Sequence, residues 1–456
     1  MMEYETVEQV LAKSKEAEGK RFGDYDINKR LDSRGNKGGL GQVIEEGLFE
    51  YQINSDSSAD FGELGIELKV TPVKINRNKT ISAKERLVLN IINYMNEYDK
   101  KFEESSFWQK NKKLLMMFYL WEKDIERRDY KILKSLLYSF PAADLEIIRQ
   151  DWEIIIGKIR AGKAEELSEG DTLYLAACTK GANRSSLRKQ PFSEALAMQR
   201  AYSLKASYMT VLIRQKLSNE KVISFAKANE LRTKTLEELL YEKFDPYLGK
   251  TVSEISNEID YAINMSNKSA IPNMISRILG ITGTRLDKIE EFEKANIQFK
   301  TIRLEPDGIP KEHMSFENID FNYWLESEWE DSQLYEKFEP TKFLFIVFQY
   351  SQTKDENPER EPVFKTIKLW NMPEKVINEE LKKMWIEVKN ILSEGVQLVD
   401  KGNRVLNNLP KPKSNGVVHI RPKAKDGSDK TDLPDGQRIT KQCYWLDREY
   451  VAKIIK

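Results

Sequence analysis

The sequence has few of the residues on which many secreted, zinc-binding and hydrolytic proteins depend. It contains 2 cysteines and 2 histidines in 456 residues. Two cysteines cannot form a disulfide framework, and no cluster of cysteine and histidine has the spacing of a zinc motif. Because His313 and His419 are the only histidines, acid–base catalysis by histidine has little to draw on.

Long hydrophobic runs and an excess of charge of one sign are also absent. No run of 18 apolar residues exists that could span a membrane, and the N-terminal residues MMEYETVEQ lack the apolar core of a signal peptide. Basic and acidic residues both number 73. This balance excludes a uniformly basic nucleic-acid binder, so any DNA contact must be a local patch. We expect a soluble, cytoplasmic protein that does not associate with membranes.

The apolar residues that are present suffice for packed cores. Hydrophobic residues make up 40% of the chain and aromatic residues 10%, which excludes a disordered chain. A chain of 456 residues is too long for one hydrophobic core and favours two domains. The apolar periodicities indicate a mixed α/β fold, with helices at 6–18, 39–50 and 143–161 and strands at 65–71, 86–94, 113–120 and 172–177.

Three carboxylates and one ammonium group concentrate in a short stretch of the first half. Apolar and charged residues alternate over 66–70, so the side chains of Glu67 and Lys69 leave the same face of a strand. Asp60 precedes them across a turn-rich segment and is close enough to converge on Glu67. Glu45 falls on a segment with the apolar periodicity of a short amphipathic helix.

Such a set suits metal-assisted hydrolysis of a phosphodiester. Attack on the phosphorus builds up negative charge that Mg²⁺ can stabilise, and Mg²⁺ takes carboxylate, water and phosphate oxygens as ligands. Asp60 and Glu67 would supply the carboxylates. Lys69 would orient or deprotonate the attacking water, or neutralise the scissile phosphate. The alternative is a strand whose solvent-exposed face carries an ordinary Glu–Lys ion pair.

The same stretch, together with further segments across essentially the whole chain, resembles the MutH-like restriction endonucleases. The shared motifs are Lys37-Gly38 with Gly41-x3-Glu45, Asp60-x6-Glu67-Leu68-Lys69-x2-Pro72, KERLVLNIINY (84–94), QDWEII (150–155), ELSEG (166–170), CTKGAN (178–183) and SSLR (185–188). The resemblance implies a restriction-endonuclease-like α/β fold with a mixed central sheet flanked by helices. It also implies that Glu45, Asp60, Glu67 and Lys69 form the nuclease site, with the three carboxylates as ligands of Mg²⁺.

Segments of the first half recur in the same order in the second half. The segment Thr6–Leu11 recurs as Thr235–Leu240, and the strand Gly65–Pro72 recurs as Asn296–Arg303. The offset between matching segments stays nearly constant along the chain, as a duplicated domain would give.

The junction between the two halves is expected in the polar stretch 215–234. It follows a strand-like run, Met209–Ile213, and precedes the helix that opens the second copy. We therefore predict tandem MutH-like domains, with a catalytic domain at 1–220 and a DNA-binding, allosteric domain without catalysis at 221–456.

The second copy lacks part of the carboxylate set. A glutamine carbonyl replaces a carboxylate poorly at a hard cation, and an arginine nearby would repel the metal. The second domain is therefore predicted to keep the scaffold without the chemistry. The alignment pairs Lys300 with Lys69, Gln298 with Glu67, Glu291 with Asp60 and Arg277 with Glu45.

Two loops combine basic and small polar residues in a way that suits DNA contact. Arginine can form two hydrogen bonds with guanine, and asparagine can form two with adenine, while serine and backbone groups bind phosphates. The loop 179–190 resembles the recognition loop of MutH-like enzymes, and 421–423 resembles the DNA-contact loop of single-domain relatives. A solvated surface loop is the alternative for each. The predicted DNA contacts are Lys37, Lys180, Arg184, Arg188, Lys205, Arg421, Lys423 and Lys441.

These features predict a Mg²⁺-dependent type II restriction endonuclease that makes double-strand breaks at GATC, the site that the resemblance implies. One active site cuts one strand, so we expect a transient homodimer on double-stranded DNA or two successive cuts. The resemblance also implies a functional link with a cognate DNA methyltransferase. Two alternatives stay open: a mismatch-repair nickase that acts on one strand, and a GATC-binding regulator without catalysis.

Overall fold

The chain folds into two compact units. The computed structural model describes residues 4–33, 38–51, 58–76, 78–180, 186–263, 269–282, 285–402 and 405–456. The first unit comprises Met1–Leu236 and Lys288–Asn296, and the second comprises Glu237–Asp287 and Ile297–Lys456.

The division between the units falls after Leu236 rather than after residue 220 because the segment predicted as the junction is folded. Its short helix α7 (Ala228–Leu231) packs on α5 (Ala142–Arg160). Gln150 Nε2 on α5 donates to Leu231 O (2.7 Å) and Lys234 O (3.0 Å). These contacts hold the segment on the first unit. The catalytic and DNA-binding roles assigned to the two domains stay predictions.

The segment 288–296 belongs to the first unit through a buried ion pair. Lys294 Nζ lies 2.7 Å from Asp144 Oδ2, and the two side chains are only 3% and 7% exposed. Tyr208 also donates to this carboxylate at 2.8 Å. Removing one partner of a buried ion pair leaves an uncompensated charge, so this contact holds the segment on the first unit.

The first unit is built around a mixed four-stranded sheet in the order β2-β1-β4-β5. Strand β1 runs parallel to β4, and the other neighbours are antiparallel. Six of the seven residues of β4 are buried, as in a central strand covered on both faces. The strands predicted in this unit at 65–71, 86–94, 113–120 and 172–177 are confirmed with small shifts of their ends. They are β1 (Glu67–Ile75), β3 (Leu87–Ile91), β4 (Leu114–Leu120) and β6 (Leu175–Thr179).

A second, antiparallel sheet of the first unit has the order β3-β9-β6, and a separate hairpin pairs β7 with β8. The remaining strands are β2 (Ile81–Ala83), β5 (Lys131–Tyr138), β7 (Leu187–Gln190), β8 (Ser193–Met198) and β9 (Arg200–Leu204). The strand expected at Met209–Ile213 is wrong, because these residues lie in helix α6 (Ala206–Leu217). The helix is buried on several sides, and such an apolar run has no periodicity that distinguishes helix from strand.

The helices predicted at 6–18, 39–50 and 143–161 are confirmed. The second of them begins as α2 and continues as one π-helical turn, Ile44–Leu48. Within that turn Gly47 approaches Tyr25 so closely that a Cβ would lie 1.9 Å from Tyr25 O, which requires glycine. Besides α5, α6 and α7, the α-helices of this unit are α1 (Val7–Glu16), α2 (Gly39–Val43), α3 (Tyr94–Glu97), α4 (Ser106–Asn111) and, from the segment 288–296, α11 (Glu290–Lys294).

The second unit has a three-stranded sheet, β10-β12-β13, and an antiparallel sheet, β11-β19-β16. Two hairpins, β14-β15 and β17-β18, complete its strands. The strands are β10 (Ile297–Leu304), β11 (Met314–Asn318), β12 (Lys342–Gln349), β13 (Val363–Asn371), β14 (Val399–Asp400), β15 (Val405–Leu406), β16 (Val418–Pro422), β17 (Lys430–Asp432), β18 (Arg438–Thr440) and β19 (Gln442–Leu446).

The hydrophobic core of the second unit includes the buried aromatic residues Trp324, Trp385 and Tyr444. Its helices are α8 (Leu236–Phe244), α9 (Val252–Glu258), α10 (Ala270–Ile278), α12 (Phe321–Glu326), α13 (Gln333–Phe338), α14 (Glu374–Val376), α15 (Lys382–Glu394) and α16 (Arg448–Ile455). None of the helices that the structure describes is both long and apolar enough to cross a membrane.

The main sheets of the two units share their strand directions. In the first, β1 pairs in parallel with β4, which pairs antiparallel with β5. In the second, β10 pairs in parallel with β12, which pairs antiparallel with β13. The register of each antiparallel pair shifts near the end of the central strand, at Phe118/Tyr119 and at Val347/Phe348. The strand that carries Glu67 and the strand that carries Gln298 therefore occupy the same position in their sheets.

Candidate active site

A tight turn places Asp60 beside Glu67. Phe61 N donates to Ile66 O (2.9 Å), and Ile66 N donates to Phe61 O (3.3 Å). The turn brings Asp60 N within 3.3 Å of Glu67 Oε2, and Asp60 Oδ2 accepts a hydrogen bond from Leu68 N at 2.8 Å. The structure therefore brings these two carboxylates together, as the spacing predicts.

Glu67 and Lys69 lie inside the first unit rather than on a solvent-exposed face. Glu67 is 3% exposed. Lys69 Nζ donates to Glu67 Oε1 (2.8 Å) and to Leu89 O (3.2 Å). Burial raises the pKa of Glu67, and the Lys69 ammonium acts in the opposite direction. Because a buried charged pair is costly to desolvate, this is not the ordinary surface ion pair that the sequence left as the alternative.

Glu45 reaches the same region from the π-helical turn Ile44–Leu48. Such turns inside helices are frequent at functional sites. Burial and then the negative charges of Asp60 and Glu67 raise the pKa of Glu45 to about 7. The three carboxylates are therefore close enough to repel one another, and the structure brings the predicted catalytic set together.

A second lysine, absent from the predicted set, faces the same carboxylate. Lys110 lies on α4, with its Nζ 3.7 Å from Glu67 Oε1 and its side chain 17% exposed. It is remote in sequence from 60–69 and follows no motif. Comparison of the two halves could have found it, because Lys337 holds the same place in α13, the helix that precedes the central strand of the second unit.

Asp60, Glu67 and Glu45 fit a divalent cation that takes oxygen ligands. Burial and then the negative charges of Asp60 and Glu67 raise the pKa of Glu45, and a bound cation would relieve the repulsion between these carboxylates. Oxygen ligands of this kind are those that Mg²⁺ takes. Asp60 and Glu67 form the near pair. Among the described residues, the ligand atoms of Asp60, Glu67 and Glu45 do not all lie within 4.8 Å of one another.

The second unit has an amide and a lysine where the first unit has the Glu67 carboxylate. Gln298 Oε1 on β10 accepts a hydrogen bond from Lys337 Nζ at 2.5 Å. Burial and then the Lys337 ammonium lower the pKa of Lys300, the counterpart of Lys69, to about 8. A nearby carboxylate, Glu317, pairs with Lys337 and accepts from Tyr444 OH. This arrangement resembles the first site but offers ammonium groups in place of a carboxylate pair.

One expectation from the alignment of the halves, the pairing of Glu291 with Asp60, is corrected, whereas the effect of Arg277 on a metal stays a prediction. Glu291, aligned with Asp60, lies on α11 and accepts hydrogen bonds from Phe225 N (3.3 Å) and Ala226 N (3.1 Å). Its carboxylate thus stabilises a loop of the first unit instead of forming a turn before β10. Arg277 is exposed on α10, with its guanidinium carbon 4.4 Å from the centre of the Tyr261 ring. It stacks on an aromatic ring.

The predicted DNA contacts of the first unit are only partly placed by the structure. Lys180 follows β6 and Arg188 lies on β7, and both residues are exposed. Lys37 and Arg184 lie outside the residues that the structure describes. The roles of all four in DNA binding stay predictions.

Lys205 is not placed as a surface contact. It is 1% exposed, and its Nζ donates to Thr172 O at 2.7 Å. The Lys205 ammonium interacts electrostatically with the buried Asp151 carboxylate. That carboxylate also accepts hydrogen bonds from backbone N–H groups, including that of Tyr174 (2.6 Å). An ammonium enclosed in this way cannot reach a phosphate, so the expected DNA contact of Lys205 is not supported.

The basic residues predicted in the second unit differ in how they present their charge. Arg421 is exposed, with its guanidinium carbon 5.4 Å from the centre of the Trp445 ring. Lys423 is exposed as a residue, but its Nζ donates to Phe316 O. Lys441 Nζ lies 2.6 Å from a carboxylate oxygen of Asp429. Arg421 thus presents the most open charge of this loop.

Known proteins similar to this chain are DNA mismatch repair proteins and a restriction enzyme. A family model described as the DNA mismatch repair enzyme MutH matches residues 49–151 and 284–383. The type II restriction enzyme Sau3AI of Staphylococcus aureus is 36% identical over 497 aligned residues, a match that covers 100% of this chain and 99% of that protein. The DNA mismatch repair protein MutH of Shewanella amazonensis is 28% identical over 184 residues, covering 39% of this chain and 79% of the relative.

The MutH protein of Pasteurella multocida is 26% identical over 192 residues, covering 41% of this chain and 83% of that protein. The MutH proteins thus match less than half of this chain, whereas the restriction enzyme matches it from end to end. The first segment matched by the family model contains Asp60, Glu67, Lys69 and Lys110. The chain therefore belongs to the MutH-like type II restriction enzymes of the Sau3AI type, which are site-specific deoxyribonucleases.

Proposed function

We propose that this protein makes Mg²⁺-dependent double-strand breaks in DNA at GATC, with its first unit cutting and its second unit binding DNA without cutting. The observation that carries the proposal is the cluster of the buried Glu67 with the half-buried Asp60 and Lys69 in the first unit. Burying these charges has no benefit for stability alone, whereas it suits catalysis on a charged substrate.

The residues of the cluster take separate roles in the proposed reaction. Asp60, Glu67 and Glu45 would hold the ion, which when bound supplies stabilisation of the negative charge that develops on phosphate. The hydrogen bond from Leu68 N orients Asp60. Lys69, fixed by its two hydrogen bonds, would orient the attacking water or neutralise the phosphate. Glu45 must lose its proton before it can serve as a ligand.

The second unit is proposed to be a duplicated domain that has lost catalysis. Two separate segments match the same family model, and the main sheets share their strand directions. The Lys337 ammonium, which contacts Gln298, would repel a metal ion at the second site. Arg421 and Lys423 would contact a second DNA site, which raises the local concentration of DNA around the first unit.

The recognition site and the partners follow from the family. GATC is the site that the resemblance implies, and Lys180, Arg184 and Arg188 are the proposed contacts that read it. One cluster hydrolyses one strand, so a duplex break requires a transient pair of chains on DNA or two successive events. A cognate DNA methyltransferase that protects the host's own sites is the implied functional partner.

A supercoiled plasmid with GATC sites tests the proposal. We expect linear DNA in the presence of Mg²⁺ and no product in EDTA. Asp60→Ala and Lys69→Ala should abolish cleavage while sparing GATC binding measured in Ca²⁺, whereas Glu63→Ala, an exposed carboxylate of the same turn, should cleave normally. Persistent nicked circles would favour a mismatch-repair nickase instead. Binding of GATC without any cleavage would favour a regulator.

A further inference from the structure

The only two histidines of the sequence meet in the second unit. His313 immediately precedes β11 and His419 lies on β16, and their ring centroids are 4.5 Å apart. Asp447, just before α16, approaches both rings. Its Oδ1 lies 2.5 Å from His419 Nδ1 and 3.7 Å from His313 Nδ1. Across the described ranges, only these three form a histidine, cysteine and carboxylate group whose ligand atoms all lie within 4.8 Å of one another.

One nitrogen of this group has no hydrogen-bond partner. His419 is fully buried, and its Nδ1 shares a proton with the Asp447 carboxylate, which leaves the lone pair of the ring on Nε2. In the part of the chain that the structure describes, Nε2 contacts no hydrogen-bond donor. A buried acceptor without a partner is unfavourable. Metal-binding histidines are commonly held this way, with one nitrogen donating to a carboxylate and the other on the metal.

We propose that His313, His419 and Asp447 form a second metal site, for a divalent transition-metal ion of the zinc type. His419 binds through Nε2 while Asp447 orients its ring, and His313 supplies the second nitrogen. Coordination through Nε2 of His313 places its proton on Nδ1, where Asp447 Oδ1 at 3.7 Å is the nearby acceptor. Nδ1 then gives up the hydrogen bond that it accepts from Arg448 N at 3.1 Å.

The site selects an ion by ligand type rather than by net charge. The carboxylates of Asp447 and Glu449 and the guanidinium groups of Arg421 and Arg448 act on the His313 ring, two charges of each sign. Asp447 and Arg421 also act on the His419 ring. Imidazole nitrogens suit zinc-type ions, whereas Mg²⁺ takes carboxylate and water oxygens. The histidine site and the carboxylate cluster of the first unit therefore take different ions.

The ion and its water ligands have a route to the site. His313 lines a cleft of about 800 Å³ in the second unit, so one ring faces an opening while the other is enclosed.

Calorimetric titration of the untagged full-length protein with Zn²⁺, after treatment with EDTA and in excess Mg²⁺, tests the site. We expect one Zn²⁺ bound per chain, and a higher melting temperature when Zn²⁺ is present, because an ion that binds only the folded state stabilises it. Co²⁺ used in its place should give the visible absorption of a nitrogen-ligated ion. Neither readout depends on cleavage by the first unit.

Matched variants decide between this site and nonspecific binding. His313→Gln and His419→Gln should abolish Zn²⁺ binding, and Asp447→Asn should weaken it about 10- to 100-fold. Asp432→Asn, an exposed carboxylate of the same unit, should bind as the wild type does. Circular dichroism checks folding, and His313→Gln decides the outcome if the buried His419 variant unfolds. Wild-type protein that takes up no Zn²⁺, or a folded His313→Gln variant that binds it unchanged, would overturn the proposal.

Discussion

Replacing Glu45 with glutamine should stabilise the metal-free protein while it abolishes cleavage. Burial and the charges of Asp60 and Glu67 raise the pKa of Glu45 from 4.5 to about 7. Between these two values the folded protein holds a proton that the unfolded chain has released. The contribution of Glu45 to the free energy of unfolding therefore falls as pH rises through this range, and the full penalty is present above pH 7.

The size of the penalty follows from the shift in pKa. A move from 4.5 to about 7 corresponds to about 3.4 kcal/mol at 1.36 kcal/mol per pKa unit. Because Glu45 is partly exposed to water, we expect about 1–2 kcal/mol. Glu45→Gln should thus raise the free energy of unfolding in EDTA by this amount at pH 8, and much less at pH 5. Urea denaturation at both pH values measures the difference.

The neighbouring residue provides a control of opposite sign. Glu46 is hydrogen-bonded to Arg30 (Nε to Oε2 2.5 Å), and this contact lowers the pKa of Glu46. Its ionised form stabilises the fold above the unfolded-state pKa, so Glu46→Gln should reduce stability at pH 8 and retain cleavage. A loss of stability in Glu45→Gln at pH 8, or an equal change in stability at pH 5 and pH 8, would contradict a raised pKa of Glu45.

Three further substitutions test the roles of basic residues. Lys110→Ala should slow cleavage at least tenfold without loss of GATC binding in Ca²⁺, because the Lys110 ammonium faces a proposed metal ligand. Lys110→Arg should recover part of the rate. A normal cleavage rate in Lys110→Ala would exclude a role of Lys110 in the reaction. Arg188→Ala should weaken specific binding by about 1–3 kcal/mol if the side chain reads a base, whereas equal losses on GATC and scrambled DNA would assign it to phosphate. Arg421→Ala with Lys423→Ala should reduce the advantage of a two-site plasmid over a one-site plasmid, and equal wild-type rates on both plasmids would contradict coupling between sites.

The sequence predicts the elements whose residues repeat with a clear period. The alternation over 66–70 and the apolar run at 114–120 both become strands of one sheet. The same reasoning fails at Met209–Ile213, which is helical. A short run that is apolar throughout is compatible with either structure, and only the packing around it decides between them.

The order of motifs along the chain predicts the core of the candidate site but not its surroundings. Asp60, Glu67 and Lys69 are adjacent in sequence, so a single turn and strand bring them together. Lys110 lies on a helix that is distant in sequence, and no motif around it indicates that its ammonium lies beside Glu67. Lys205 carries the basic character of a DNA contact, yet its position after β9 buries it. Local sequence does not distinguish Lys110, whose ammonium lies beside Glu67, from Lys205, whose ammonium is enclosed in the core.

The sequence by itself determined the family, and it predicted the candidate catalytic set and the glutamine that stands at 298 where the first half has Glu67. Each of these depends on residue identity and short spacing. Only the tertiary structure decided the burial of Glu67, the return of the segment 288–296 to the first unit, and the meeting of His313 with His419. The two histidines are far apart in the chain and follow no motif. They become neighbours because antiparallel pairing places β11 and β16 on either side of β19, and chain topology, not local composition, sets that distance.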